Sequence, residues 1–195
     1  EFLKENPELS RYDNLFESTP KELSSIGTFK TNNSALLVAK MKPNLGFKID
    51  DEYVIALDGI NDPGNMGAII RIADWYGINK IVASEDTVDF YNPKVIAASK
   101  GSFNRVRVFY TDLIKYFDAQ KVDVFGASMK GQNIHSMSFP NKGIIVMGNE
   151  ANGISTNLDK SIHYKITIPR FGAAESLNVA MATSIICDNV FRAKS

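Results

Sequence analysis

Histidine, cysteine and tryptophan are scarce in this chain of 195 residues, and it carries no excess of either charge. The single cysteine, Cys187, sits in an apolar run, cannot form an internal disulfide and reads as a buried thiol in a reducing compartment, which places the protein in the cytoplasm. The two histidines, His135 and His163, stand far apart, and no His/Cys cluster has metal-ligand spacing, so no metal is expected. Lys and Arg number 22, and Asp and Glu also 22. That balance argues against a non-specific polyanion binder and leaves room for a local basic patch. No run approaches the roughly 18 apolar residues that a membrane span needs, so no membrane partner is expected. Glu1-Phe-Leu-Lys-Glu-Asn-Pro7 lacks a signal-peptide layout and an initiator Met, and the chain reads as a fragment of a longer one. Two nucleotide-binding fingerprints are missing as well. No Gly-x-Gly-x-x-Gly follows a strand, and no Gly-x-x-x-x-Gly-Lys-Ser/Thr loop occurs. A serine hydrolase would need a base for Ser176, and neither His has a readable relation to it.

What is present is an ordinary globular composition, 44% hydrophobic and 23% charged, long enough for one domain with a small appendage. Residues 1–44 read as a small αβαβ unit. It comprises a helix over Phe2–Asn6, an extended stretch at Tyr12–Glu17, a second helix and a strand at Ala35–Ala39. The second helix would have Thr19 as N-cap, Pro20 in its first position and Glu22 in its third. The Pro, Asn and Gly of Lys42-Pro-Asn-Leu-Gly46 mark a connection, and residues 45–51 are assigned to a linker.

From Glu52 strands alternate with helices, the pattern of a mainly parallel α/β sheet flanked by helices. Strands are expected at Tyr53–Leu57, Lys80–Ala83, Arg105–Phe109, Val122–Ala127, Gly143–Met147 and Tyr164–Ile168. Helices are expected after Asp62 and ending at Gly77, over Asn92–Ser99, Leu113–Phe117 and Thr156–Lys160, and from about Glu175 onwards. The last would show a mostly apolar face of Leu177, Ala180, Met181, Ser184, Ile185, Asp188 and Phe191.

Two strands, at Gly143–Met147 and Tyr164–Ile168, run into loops rich in Gly, Asn, Glu and Ser. Open α/β sheets bind ligands at such carboxyl ends. A third loop, Asp58–Gly67, holds Asn65, with Arg71 about one and a half helical turns on. Arg in an otherwise apolar helix start either reaches solvent or meets an anion, because burying it unpaired is costly. The free N–H groups behind Asp62-Pro-Gly-Asn65 offer a place for phosphate, to which Arg71 would add a bidentate donor.

These three segments resemble the three motifs of the SpoU (TrmH-like) branch of the SPOUT RNA 2′-O-ribose methyltransferases. They are Leu57-Asp-Gly-Ile-Asn-Asp-Pro-Gly-Asn-Met-Gly-Ala-Ile-Ile-Arg-Ile-Ala-Asp74, Ile145-Val-Met-Gly-Asn-Glu-Ala-Asn-Gly-Ile-Ser155 and Ile166-Thr-Ile-Pro-Arg-Phe-Gly-Ala-Ala-Glu-Ser-Leu-Asn-Val-Ala180. They occur in the family's order and spacing, over about residues 52–195. Residues 1–44 are similar to the end of the small ribosomal-protein-like RNA substrate-binding domain that often precedes this catalytic domain.

The resemblance implies a SPOUT fold with a C-terminal deep trefoil knot, which general topology rules would have rejected. It implies S-adenosyl-L-methionine as cofactor without a metal, and an RNA substrate, with ribosomal RNA expected before transfer RNA. It also implies a homodimer, for which the face of the final helix is a candidate contact. Gly148, Ile168 and Leu177 would hold the adenosine largely through backbone groups, with Ala127, Met147 and Asn149 close by and Gly148 permitting close approach. Glu150, Ser176 and Asn178 would arrange the methyl donor and the catalytic Arg71, and Asn65 would orient the ribose. A guanidinium is a poor base, so Arg71 is assigned to the adjacent phosphate and to lowering the hydroxyl's pKa, with the proton acceptor left open. One departure stands out: Arg170-Phe171 follows Pro169 where the family often carries Met and small residues. A non-catalytic RNA-binding protein on the same fold and a general nucleotide-binding α/β domain are the competing readings. The first would be favoured by loss of the five polar residues, which are all present; the second lacks its phosphate loops.

Overall fold

The computed structural model describes residues 2–27 and 31–192. Glu1 and the last three residues, included in the expected domains, lie outside the described residues. The chain divides into two compact units, Glu1–Lys42 and Pro43–Ser195.

The first unit holds α1 (Phe2–Glu5), a 3₁₀ turn over Pro7–Arg11 and α2 (Pro20–Ile26). Its second helix starts where the sequence signal puts it. Thr19 N donates to Glu22 Oε2 at 2.8 Å and Glu22 N donates to Thr19 Oγ1 at 3.3 Å, closing a reciprocal cap. The two strands expected here do not form: neither Tyr12–Glu17 nor Ala35–Ala39 is in a ladder. Apolar, β-prone residues alone do not make a strand, which also needs a backbone partner and a covered face. Leu37 and Val38 have no such cover, at 89% and 87% exposed.

The second unit is a six-stranded sheet. Its strands are β1 (Tyr53–Asp58), β2 (Lys80–Ala83), β3 (Arg107–Tyr110), β4 (Val124–Asn133), β5 (Gly143–Gly148) and β6 (Tyr164–Thr167). The order is β3-β2-β1-β5-β4-β6, and every pairing is parallel. β1 is buried at all six positions, as expected for a central strand covered on both faces. One layer of core sets Ile55, Leu57, Ile81 and Ile145 against α3 (Pro63–Trp75), α4 (Pro93–Ser99) and α7 (Val179–Arg192). The other sets Val54, Ala56, Val82, Ile144 and Val146 against α5 (Leu113–Asp118) and α6 (Thr156–Asp159). Alternate residues of one strand therefore feed opposite layers, as the pleat dictates.

The chain leaves β1 for β2 and β3 on one side, then crosses to place β4 beyond β5. The direction reverses between β1 and β5, a topological switch point. β4 continues six residues past its expected end at Ala127, because its pairing with β6 resumes at Gln132↔Ile166 after Ser128–Gly131 bulge out.

Residues 45–51, read as linker, are packed onto this unit. Asn44 Nδ2 donates to Tyr110 O and Tyr110 N donates to Asn44 Oδ1, both at 2.9 Å, so one amide side chain satisfies the open edge of β3. Phe47 sits edge-on to Phe109 and Tyr116. The apolar face assigned to the final helix is largely used within the same subunit. Ala180 is buried and Ser184, Ile185, Asp188 and Phe191 are half-buried, leaving Leu177 and Met181 exposed.

Candidate functional site

At the carboxyl end of the sheet, three loops meet through one asparagine. α3 begins at Pro63, whose missing N–H costs a helix nothing in that position, and Asp62 caps it by accepting from Asn65 N at 2.7 Å. This corrects one expectation. The α3 terminus is not open to phosphate, because a carboxylate already occupies it and would repel a second anion. The cap holds Asn65 at the helix start, where its side chain reaches both other motifs. Asn65 Nδ2 donates to Glu150 Oε1 at 2.8 Å, and Asn178 Nδ2 donates to Asn65 Oδ1 at 2.8 Å.

Asn178 has a second task. Its Oδ1 accepts from Ala180 N and Met181 N at 3.0 and 3.3 Å, which makes it the cap of α7. The final helix therefore starts at Val179, four residues later than expected, and Glu175–Leu177 remain loop. The amide of Asn178 spans the start of one helix and the side chain that follows the cap of another.

Glu150 is aimed by its neighbours. Asn149 Oδ1 accepts from Ala151 N and Asn152 N, while Asn149 Nδ2 donates to Gly59 O at 2.7 Å. Its backbone exchanges both hydrogen bonds with Gly153, at 3.0 and 2.8 Å. Gly153 has φ +68, a left-handed conformation that closes this tight loop. The side chain of Asn149 is thus committed to fixing the loop to the end of β1. Gly148 is required by the chain's own path: a Cβ there would lie 2.2 Å from Gly153 C and 2.3 Å from Ile154 N. The close approach expected at Gly148 is made by the returning backbone of Gly153–Ile154.

Asp58 was missed by the sequence reading. It ends β1, is nine-tenths buried, and accepts from Ser155 N at 2.6 Å through Oδ2. The signal was available: an acidic residue closing a strand of five apolar residues is costly to bury without a fixed donor.

The remaining expected positions make no side-chain hydrogen bond to this trio among the described residues. Ala127 pairs with Ile166 across β4 and β6, and Ile168 follows β6 half-buried against the core. Met147 has its side chain in the core and is buried as a whole residue. The β1–β5 ladder runs to Asp58↔Gly148, whereas the β4–β5 ladder stops at Gly126↔Val146. Met147 and Gly148 therefore lie past the end of the β4–β5 ladder while still pairing with β1. Across residues 169–178 the chain is loop, and among the described residues the backbone N–H groups of Phe171 to Asn178 make no hydrogen bond. Leu177 is 51% exposed. Ser176 is exposed and makes no hydrogen bond among the described residues. Arg71 stands six residues beyond Asn65, about 9 Å along the helix axis. It is exposed and, among the described residues, pairs with no carboxylate.

An open cleft of about 420 Å³ lies beside this site, at the ends of β1, β2 and β3, lined by Asp58, Ser84, Glu85, Thr111, Asp112 and Ser155 among others. None of the residues expected at the site lines it. Among the described residues, no group of three His, Cys, Asp or Glu side chains could hold a metal ion. No described helix is long and apolar enough to cross a membrane.

Comparison with known proteins identifies the family. The SpoU rRNA Methylase family model matches residues 52–188. The chain is 32% identical over 137 residues to the 23S rRNA (guanosine(2553)-2′-O)-methyltransferase RlmP of Bacillus subtilis, covering 68% of this chain and 55% of the relative. Among solved structures, a TrmH-family protein from Porphyromonas gingivalis matches with a TM-score of 0.71 at 37% identity, covering 78% of this chain and 64% of the other. An AdoMet-bound rRNA methyltransferase from Sinorhizobium meliloti matches with a TM-score of 0.69 at 31% identity, covering 73% and 56%. The chain spans about half the length of the curated relatives it matches. With all three motif segments inside the matched region and joined at Asn65, the chain belongs to the SpoU rRNA methylase family.

Proposed function

We propose that this chain is the catalytic part of an S-adenosyl-L-methionine-dependent RNA 2′-O-ribose methyltransferase that acts on ribosomal RNA, without a metal and as a homodimer. The observation that carries the reading is the hydrogen-bonded line Glu150–Asn65–Asn178, which ties one polar residue from each motif into a single group at the carboxyl end of the sheet. A chain kept only for RNA binding has no need of that register across three loops. RlmP is a 23S rRNA 2′-O-methyltransferase and the Sinorhizobium meliloti protein an rRNA methyltransferase, which supports ribosomal RNA as the substrate.

The residues present suit the cofactor. An adenosine offers ring acceptors, an exocyclic donor and ribose hydroxyls. The backbone N–H groups of Phe171–Asn178, unpaired among the described residues, are groups of the matching kind. Gly148, Ile168 and Leu177 would hold it, with Ala127, Met147 and Asn149 shaping the walls. When bound, S-adenosylmethionine supplies a methyl group on a sulfonium that is already activated. The chain's task is then to place a hydroxyl oxygen in line with that methyl, and positioning of this kind lowers a barrier by several kcal/mol.

Among the described residues Arg71 pairs with no carboxylate. It binds the phosphate beside the target ribose through its fork of donors and stabilises the oxygen as it loses its proton. Asn65 spends one amide hydrogen on Glu150 and one acceptor site on Asn178, which leaves one donor and one acceptor for the ribose. Ser176, two residues before Asn178, completes the group from the third loop. The trefoil knot belongs to the same proposal; its support is that β4 lies between β5 and β6 although β6 follows β5 in sequence. So does the assignment of residues 1–44 to the remnant of an RNA substrate-binding domain, supported by the division of the chain after Lys42.

The test is methyl transfer from labelled S-adenosylmethionine to total ribosomal and transfer RNA, comparing the chain with Arg71→Ala. Label at a ribose 2′-oxygen that disappears in the variant is expected. Cofactor binding without any transfer to either RNA would replace this reading with the RNA-binding one.

A further inference from the structure

The pair Arg170-Phe171 is the part of the third motif that the reading above leaves without a task. Phe171 is 97% exposed, the most exposed of the large apolar side chains described. Its neighbour shows that this is a built conformation. Arg170 Nη1 donates to Ala174 O at 3.2 Å, which closes Arg170–Ala174 into a short loop. Phe171 stands inside that loop with its ring outward. A lone exposed apolar residue needs no explanation on a protein surface. A phenyl ring held outward in a closed loop, with unpaired backbone N–H groups running from it to Asn178, is a different case.

The loop lies next to the chemistry. Asn178 lies seven residues beyond Phe171, and a chain of that length spans at most about 25 Å. Asn178 is hydrogen-bonded to Asn65, so the ring is within a few nucleotides' reach of the site. No acidic side chain pairs with Arg170 among the described residues, and Arg71 is likewise free. An exposed aromatic face next to the Arg170 guanidinium matches an unpaired nucleobase and its phosphate, since every base offers a π-face. A duplex offers no such face, because its bases are stacked on one another.

We propose that Phe171 is a stacking platform for an unpaired base near the methylated nucleotide, and that Arg170 shapes the loop presenting it, so that the enzyme selects single-stranded RNA. This rests on the RNA-binding part of the reading above. The ring sets which RNA is accepted and takes no part in the methyl transfer.

The test uses a short fluorescein-labelled single-stranded RNA of mixed sequence and its duplex with the complementary strand. Binding is measured for the chain, Phe171→Ala and Phe171→Trp. Phe171→Ala is expected to weaken single-strand binding roughly 5- to 150-fold. Duplex binding should not change, and Phe171→Trp should restore the single-strand preference. Equal loss on both forms, or no loss, would overturn the proposal. So would a loss of S-adenosylmethionine affinity, or a change of oligomeric mass in Phe171→Ala, which would give the ring to the cofactor or to a second copy. Methyl transfer measured in parallel separates the two claims. A chain that transfers methyl groups but ignores the ring keeps the activity and loses this inference, and a chain that transfers none but needs the ring for single strands does the reverse.

Discussion

Asn178 donates to Asn65 at 2.8 Å across 113 residues of sequence, and through that bond the cap of the last helix touches the start of the first helix of the sheet domain. The same Asn65 donates to Glu150. One amide thus sets the spacing of three loops.

Asn65→Ala removes both bonds at once. Methyl transfer should fall about 100-fold, the order expected when reacting groups shift by about 1 Å. The fold should lose only about 1 kcal/mol per bond, because the partners can turn to water. A kinetic assay beside a thermal melt separates the two effects. Loss of folding in step with activity would mean that the contact is architectural.

Gly148→Ala and Gly67→Ala make a paired test of close packing. Alanine normally favours a helix over glycine by about 1 kcal/mol. A Cβ at Gly67 would meet Ala98 Cβ at 2.4 Å, and one at Gly148 would meet the backbone of Gly153 at 2.2 Å. Both variants should destabilise by about 1–3 kcal/mol through overpacking, measured by denaturant unfolding. Gly148→Ala should also abolish S-adenosylmethionine binding, because Ile154 and Ser155 must move with it.

Asp58 carries the far end of the Glu150 loop. Asp58→Ala leaves Ser155 N–H without its partner and should cost about 1–3 kcal/mol. Asp58→Asn keeps an acceptor of the same shape and should recover most of that loss. Equal damage from both would assign the role to charge instead of to the hydrogen bond.

Cys187 is fully buried, and burial pushes its thiol up to about 12 from an ordinary value of 9.0. It should resist a thiol reagent in the native protein and react on unfolding. The sign of its pH effect follows: above about pH 9 the unfolded thiol ionises while the folded one stays protonated, so this contribution to stability shrinks as pH rises from 9 towards 12.

Asp74 behaves in the opposite sense. The Arg105 guanidinium, through Nε and Nη2, and the hydroxyl of Ser102 hold its carboxyl below the usual range. A lowered folded pKa gives stability that is present above the unfolded value near 3.8 and is lost as pH falls through the folded one. Arg105→Ala should therefore lower the melting temperature at pH 6, with the difference from the unmodified chain closing as pH falls below 3.8. A constant difference across that window would point to lost packing.

How much of this was legible beforehand depends on the range of the interaction that decides each feature. The Thr19–Glu22 cap, the Pro63 and Pro93 helix starts and the apolar strands β1, β2 and β5 were readable because caps and periodicity act within a few residues. The family was readable because the three motifs keep their residue types and order. The missing strands at Tyr12–Glu17 and Ala35–Ala39 were not, because a strand is decided by a partner that local propensity cannot supply. The late start of α7 depended on Asn178 capping it, although Glu175 and Leu177 are good helix formers. The closed α3 terminus depended on which way one carboxylate, Asp62, turned. Sequence by itself determined the chemistry available, an unpaired arginine and a set of amides, carboxylates and small residues at strand ends. Only the tertiary structure decided that Asn65 is the residue joining them, that Gly148 makes room for the chain's own backbone and that Phe171 faces water. Each of these is a contact between groups far apart in the chain, or the lack of one, and such contacts exist only once the sheet has brought its carboxyl ends together.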